Sequence, residues 1–498
     1  MGADSYINGR SPHLNPVQSI DKNYDSNYND TAAGWGQRNK STPPLITRSI
    51  FDFSPGEIRK IKLALMKLGA RVATAIELVT QLGEDWQRGN RTPADAVLGR
   101  YYKERRFIGS KDRREISRLV YSTLRNEATL AWWLEQDGRA RSPLGLVLCG
   151  LVLLDGHGQS KIQELFSGEQ YCPRQLDSEE QEWVQAHAGQ PLQHEAMPDW
   201  VRLNFPEWLQ PALQESFGDR LTKAMEALNA EAPVDLRVNT LKSSRDQVMA
   251  ALREEDMDPE PTPFAINGVR LRKRAALSAT QAFRDGWFEL QDEGSQLVVE
   301  LVKAQHDNKV IDFCAGAGGK ALALANTMDN KGRILAWDTD WGRLKQMSLR
   351  LSRAGVNNVQ TRLLKSKRDP FIERHKDTAD WVLADVPCSG TGTWRRSPDL
   401  KWRTTQSDLK EVIALQQSIM DNAARCVKPG GCLVYATCSI LKQENEEQVT
   451  RFLGMNPEFA TESIENLHGT DGPYLRLYPH LHQTDGFFGA VLRRRLDV

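Results

Sequence analysis

Two cysteines stand where strand-like alternation stops. Cys388 closes "DWVLADVPC" and Cys438 closes "CLVYATC", and small or polar residues follow each. A thiol at a strand end can be packing, a metal ligand or a nucleophile. Seven cysteines in 498 residues, with no C-x-x-C pair, make neither a disulfide framework nor a structural zinc motif, and no metal is expected. The helix "QSDLKEVIALQQSIMDNAARCV" and the turn "KPGG" separate the two runs, so their strands are expected to be neighbours across one helical crossover. Ligands of open α/β sheets bind outside the carboxyl ends of the strands, so both thiols are expected in one crevice. Cys426 and Cys432, inside a helix end and a strand, read as structural.

Upstream, "KVIDFCAGAGGKALALANTM" reads as a strand from Val310 to Cys314, a Gly-rich turn and a helix. Gly316, Gly318 and Gly319 allow close approach of backbone, and a helix N-terminus favours polar or anionic groups. The next strand, "RILAWD", ends in Asp338, about 20 residues past the glycines, placed to accept from ribose hydroxyls. Together they indicate an adenosine-bearing cofactor. A dinucleotide requires G-x-G-x-x-G, and G-A-G-G-K does not fit. S-adenosylmethionine has no pyrophosphate and needs only a tight loop and the ribose acid, so it is the cofactor expected.

The elements that position these groups are set by the rest of the chain. Its length implies roughly two to four domains. Residues 1–53, rich in Asn, Asp, Ser and Gly, read as a flexible polar tail. Residues 54–218 are helical, with Ile116, Leu119, Val120, Thr123 and Leu124 on one face. Residues 219–290 form a linker helix and a small α/β module, with "VDLRVNTL" as a strand, "SSRDQVMAALREEDM" as a capped helix and "INGVRLRKRAAL" as a turn and basic strand. Residues 291–498 alternate strand and helix, the mark of a doubly wound sheet.

Lys and Arg (65) balance Asp and Glu (65), so no whole-protein basic field draws in nucleic acid and any such contact is local. Two patches qualify. Lys103, Arg105, Arg106, Lys111, Arg113 and Arg114 surround two tyrosines and a phenylalanine, with a solvated helix end as the alternative. Trp394, Arg395, Arg396, Lys401, Trp402 and Arg403 follow Cys388 and read as a grip on RNA, guanidinium on phosphate and ring on base. No apolar run approaches the ~20 residues of a membrane span. "MGADSYINGR" lacks an apolar signal core, and Tyr6 is wrong for myristoylation, so a cytoplasmic protein without membrane contact is expected.

In order, "DFCAGAGGK", "AWDTDWGR", "ADVPCSGTGT", "ATCS" and "DGFFGAVL" resemble the RNA (cytosine-5)-methyltransferase family that includes the RsmB and Sun proteins. "SKDRREISRLVYSTLR" resembles the NusB-like helical domain carried by some bacterial members. The resemblance implies a Rossmann-like class I methyltransferase domain, an α/β doubly wound sheet, preceded by an all-α NusB-like domain and a small α/β RNA-binding module. It implies S-adenosylmethionine as cofactor and RNA as partner, 16S ribosomal RNA first and transfer RNA as the alternative; a monomer is expected. A non-catalytic RNA-binding assembly factor on the same scaffold is the reading from another class.

The implied chemistry uses two thiols. C5 of cytosine is a poor nucleophile until a thiolate adds at C6 and makes C5 enamine-like. A base then removes the C5 proton so that the thiol can be eliminated. The resemblance assigns the nucleophile to Cys438 and product release to Cys388. It assigns Asp385 to the cofactor and base edge, where a carboxylate accepts from cytosine N4–H2. Lys320 is assigned to steadying negative charge on the base. Cys314, Ala315, Gly316, Ala317, Gly318, Gly319, Lys320, Asp338 and Asp385 would hold the cofactor. Arg343 reads equally as an exposed helix arginine. Phe487 and Phe488 read as core, and His480 and His482 have no acid partner and no role. The chain departs from the family pattern in two places. "AGAGGK" lacks the family's proline, and Leu364, Lys365 and Ser366 replace the acid usual after the third strand, for which Asp369 comes too late.

Overall fold

The computed structural model describes residues 66–496 except 367, 368 and 466, so the polar tail and the first residues of the expected helical region lie outside it. Helices Leu68–Gln87, Ala94–Glu104, Ser110–Arg125, Glu127–Gln136, Pro143–Leu153, Gln159–Leu165 and Ser178–His187 enclose one apolar core. The stripe Ile116, Leu119, Val120, Thr123 and Leu124 is buried throughout, and Thr123 satisfies its hydroxyl on Leu119 O at 2.9 Å. Of the six clustered cations nearby, Arg105 folds over the Tyr101 ring at 3.8 Å and Arg113 donates to Ile108 O at 2.8 Å. Lys103, Arg106, Lys111 and Arg114 remain at least partly exposed.

Helices Gln210–Phe217 and Leu221–Asn229 lead into a four-stranded antiparallel sheet. Its strands are β1 (Val234–Val238), β2 (Pro259–Pro261), β3 (Gly268–Leu271) and β4 (Phe288–Leu290), in the order β2-β3-β1-β4. The helix Arg245–Glu254 begins at a capping box, in which Ser244 and Gln247 satisfy each other's backbone N–H groups. Arg270 of the expected basic strand is buried: its guanidinium meets Asp235 at 2.7 Å and Glu293 at 3.3 Å. Glu293 opens the helix Glu293–Glu300, so this ion pair joins the small sheet to the C-terminal α/β region.

That region carries a nine-stranded sheet: β5 (Lys309–Asp312), β6 (Arg333–Asp338), β7 (Val359–Leu363), β8 (Ala379–Asp385), β9 (Val427–Thr437), β10 (Phe459–Glu462), β11 (Thr470–Asp471), β12 (Tyr474–Leu477) and β13 (Phe487–Arg494). Strands β7-β6-β5-β8-β9 are parallel, and β13 adds antiparallel to β9. The α/β doubly wound fold expected from strand–helix alternation is therefore the observed one. The chain builds outward from β5 to β7 and then crosses back to β8, so the order reverses between β5 and β8 and opens a crevice at their tips. One local expectation fails: "KPGG" is not a turn. Lys428 to Gly431 lie inside β9 as a bulge, because β8 and β9 pair at Ala379↔Val427 and resume at Trp381↔Cys432. Parallel neighbours need a long crossover, and the helix Gln406–Ala424 already supplies it.

Candidate functional site

The tip of β5 runs directly into the Gly-rich turn. Ala315 N–H donates to Trp337 O at 2.9 Å, and Gly316 N–H donates to Asp338 Oδ2 at 2.7 Å. Gly318 has φ +83°, and a Cβ there would lie 2.4 Å from Met347 Cγ, so only glycine fits. The helix Gly319–Thr327 starts at once, and its first N–H groups have no partner within the helix. Asp338 ends β6; its Oδ1 takes the Asp340 N–H at 2.8 Å, which orients the carboxylate at the crevice. These groups fit an adenosine-bearing methyl donor, a ribose-accepting carboxylate beside a close backbone approach. At the β7 edge, Leu364 is buried. Asp369 spends its carboxylate on Lys365 N–H (2.8 Å) and Phe371 N–H (2.9 Å), so it does not replace the missing acid.

Lys320 Nζ donates to Asp385 Oδ2 at 2.6 Å, bridging the turn after β5 to the tip of β8. Burial pulls the ammonium down, yet Asp385, Asp312 and Cys438 outweigh it and hold Lys320 above its ordinary value. Asp312, which sequence reasoning does not single out, is fully buried at the end of β5. Among the described residues neither of its oxygens holds a well-formed hydrogen bond, although the Ala321 N–H lies near it. Burial, then Asp385, pushes its carboxyl up to about 7, against the pull of Lys320. Nothing in "KVIDFC" marks this aspartate, because its effect depends on acids brought beside it from β6 and β8. Burial, followed by Asp312 and Asp385, also pushes the Cys314 thiol well up.

The two strand-end cysteines meet. β8 and β9 are neighbours, and Cys388 Sγ lies 3.3 Å from Cys438 Sγ. The hydrogen bond with Cys438, then burial and the Glu444 charge, push the Cys388 thiol well above its ordinary value. Both loops hang on one buried carboxylate, Glu444. It takes the Ser389 N–H at 2.8 Å, both the Ser389 and Ser439 hydroxyls at 2.5 Å, and Gln416 Nε2 at 2.9 Å. Ser389 and Ser439 are the residues immediately after Cys388 and Cys438, so Glu444 sets the register of one thiol loop against the other. In "KQENEE" nothing separates this acid from its exposed-looking neighbours.

The expected RNA grip after Cys388 is overturned. Trp394 and Lys401 are each 1 % exposed and Arg395 is 5 % exposed. Arg395 contacts Asp485, Asp292 (3.2 Å) and Gln483 O (3.1 Å). Arg396 contacts Asp485 (2.6 Å), Asp292 (2.7 Å) and Pro233 O (2.8 Å). Lys401 contacts Asn229 and the Arg125 carbonyl, Trp402 Nε1 donates to Leu124 O at 2.6 Å, and Arg403 pairs with Asp399 at 2.8 Å. The segment is a brace tying the sheet to the helical region and the small module. It reads as an RNA grip in sequence because the carboxylates that hold Arg395 and Arg396, Asp292 and Asp485, come from distant segments. Arg343 is exposed, as a surface helix arginine would be. Phe487 and Phe488 are buried, Phe487 beneath Lys320 at 5.7 Å. His480 packs against Phe217 and Tyr478, and burial brings it down to about 4. Among the described residues there is no cluster of three or more metal-ligating side chains. None of their helices is long and apolar enough to cross a membrane.

Residues 299–493 match the family described as 16S rRNA methyltransferase RsmB/F, and residues 205–278 match the ferredoxin-like domain of RsmF/B-like methyltransferases. The ribosomal RNA small subunit methyltransferase B of Yersinia pseudotuberculosis serotype O:1b is 30% identical over 409 residues, covering 78% of this chain and 92% of that protein. The protein of the same name from Photorhabdus laumondii is 33% identical over 290 residues, 58% of this chain and 66% of that one. The crystal structure of PH0851 superposes with a TM-score of 0.69 at 25% identity, covering 87% of this chain and all (100%) of that one.

Proposed function

Because this chain belongs to the RsmB family of ribosomal RNA small subunit methyltransferases, we propose that it methylates C5 of a cytosine in 16S ribosomal RNA through a covalent bond between Cys438 and C6. The cofactor is S-adenosylmethionine, which supplies an electrophilic methyl group. The observation that carries the reading is the pair of thiols 3.3 Å apart at adjacent strand tips, beside the Lys320–Asp385 pair.

Cys438 adds to C6, and the Lys320 ammonium, held charged by Asp385, steadies the negative charge that then spreads over the ring. Cys388 starts protonated, since its surroundings disfavour the thiolate. In the elimination the C6–S bond breaks, the Cys388 thiol gives its proton to the departing Cys438 sulfur 3.3 Å away, and the Cys388 sulfur takes the C5 proton in return. Asp385 takes Lys320 on Oδ2, while Oδ1, without a partner among the described residues, accepts from the cytosine N4–H2 edge. Asp338 and the turn from Cys314 through Ala315, Gly316, Ala317, Gly318 and Gly319 to Lys320 hold the cofactor. The helical region and the small module present RNA to this crevice, the protein acting as a cytoplasmic monomer.

Incubation with ribosomal RNA and labelled methyl donor tests the reading. Cys438→Ala abolishes transfer, a loss of about a thousandfold or more, while cofactor affinity by calorimetry is unchanged. Cys388→Ala accumulates a protein–RNA adduct that survives denaturing electrophoresis. Full activity of Cys438→Ala overturns the mechanism.

A further inference from the structure

A cavity of about 520 Å³ opens beside the Cys438 strand end, and the chemistry above does not use it. That volume is within the range of about 300–1,000 Å³ typical of small-ligand sites. One wall is Ile440, Lys442 and Asn445; the opposite walls come from the helix Gln210–Phe217 with the turn to Arg220, and from β11 and β12 with the residues after them. Ile440 is two residues beyond Cys438, within about 7 Å along the chain. Asn445 Oδ1 accepts from the hydroxyl of Thr437, the residue before Cys438, at 2.6 Å. The cavity therefore shares a wall with the thiol loops.

Its charges are unevenly spent. Two carboxylates line it, and Arg476 takes both, Glu446 at 2.6 Å and Asp471 at 2.9 Å. Arg220 has no ion-pair or hydrogen-bond partner among the described residues. Lys442 has only Glu215 at 3.4 Å, an exposed pair of the kind worth little in water. The cationic excess is thus available to an anion. Tyr478 offers a half-buried ring, and Leu481, 51 % exposed, an apolar edge. His482 accepts the Tyr478 N–H at its Nδ1 (3.0 Å), which leaves the Nε2–H as an unused donor. Anion-binding cations, a ring and a directed donor form the complement of a nucleotide.

Resting on the function proposed above, we propose that this cavity takes one nucleotide of the RNA strand flanking the target cytosine, its phosphate on Arg220 and Lys442 and its base against Tyr478. The site determines which RNA segment reaches the thiols rather than the chemistry itself.

The test uses the full chain and a fluorescein-labelled single-stranded RNA oligonucleotide containing cytidine, with Kd measured by anisotropy across a salt series. Arg220→Ala/Lys442→Ala raises Kd about tenfold, and the salt slope shrinks by about 0.7 for each phosphate no longer neutralised. KM for ribosomal RNA rises while kcat holds. Ser216→Trp, which fills the cavity while keeping both cations in the chain, also weakens binding; melting curves show that each variant is folded. If the wild type binds and the double variant matches it in Kd and slope, the cavity proposal alone falls. The same holds if the double variant weakens binding and Ser216→Trp does not, since the cations then act outside the cavity. If the wild type binds no RNA at any salt, this proposal and the function it rests on fall together.

Discussion

The thiol crevice and the loop that leaves it are continuous in sequence, from Cys388 to Arg403, yet they handle buried charge in opposite ways. In the crevice, charge is under-satisfied. Among the described residues Asp312 lacks a well-formed hydrogen bond, Asp385 has a partner on one oxygen, and Lys320 donates to one carboxylate. In the loop, each nitrogen of the Arg395 guanidinium is taken, by Asp292, Asp485 and a carbonyl, whereas Lys401 is buried against neutral oxygens. Incomplete pairing leaves perturbed groups that a ligand can complete, whereas complete pairing leaves nothing for a ligand to take. Basic residues next to a reactive centre are therefore not by themselves a nucleic-acid surface. Their partners decide the matter, and composition does not.

Three experiments probe this contrast. The largest effect is expected in the brace. Arg395→Ala leaves Arg396 alone to neutralise both Asp292 and Asp485, so one buried carboxylate loses its counter-charge, and it costs about 3–5 kcal/mol, the usual result of removing one partner from a buried pair. Urea unfolding measures it, and a loss below about 1 kcal/mol, as for exposed pairs, would show that the pairs are solvated. Glu444→Gln comes next. It keeps the shape but turns acceptors toward donors, so the two loops lose register and kcat falls about 10–100-fold, about 1.4–2.7 kcal/mol of barrier. KM for the methyl donor stays close to wild type, since Glu444 touches the thiol loops and not the Gly-rich turn. An equal loss in both parameters would place its effect on the whole crevice instead.

The last effect is a slope with pH rather than a single loss, at Asp312. Its folded carboxyl is raised from 3.8 to about 7, so between these values the folded state binds the extra proton. Stability from this group is then greatest at low pH and declines as pH rises toward 7, by at most about 1.4 kcal/mol per pH unit. Asp312→Asn removes that slope, and melting temperatures of the two proteins diverge from about pH 4 to pH 7 in favour of the variant. Parallel pH profiles would mean that Asp312 titrates like an exposed carboxylate.

Much of the fold is legible in the sequence because its signals are local. The apolar stripe around Ile116 repeats at helical spacing, and Ser244 with Gln247 marks a helix start. Strand–helix alternation past residue 290 implies the doubly wound sheet, and the sheet order then places β8 beside β9. Even there, "KPGG" misleads, since a Pro-Gly-Gly run that bulges a strand looks the same as one that ends it. Cys388, Cys438 and Asp385 stand out because each sits where a strand stops. Asp312 and Glu444 do not, since an aspartate inside a strand and one acid among several carry no local sign of what will be packed against them.

The strand ends, the tight turn at Gly318 and the presence of two thiols at the same edge of one sheet are properties of the sequence. They depend on periodicity, on φ and on residue type, which act over a few residues. The pairings belong to the folded molecule: Lys320 with Asp385 from 65 residues away, Arg395 with Asp292 from 103, and Lys401 with Asn229 from 172. Charge in a protein interior is governed by whatever the fold brings within a few ångströms, and that neighbourhood exists only once the chain has closed around it.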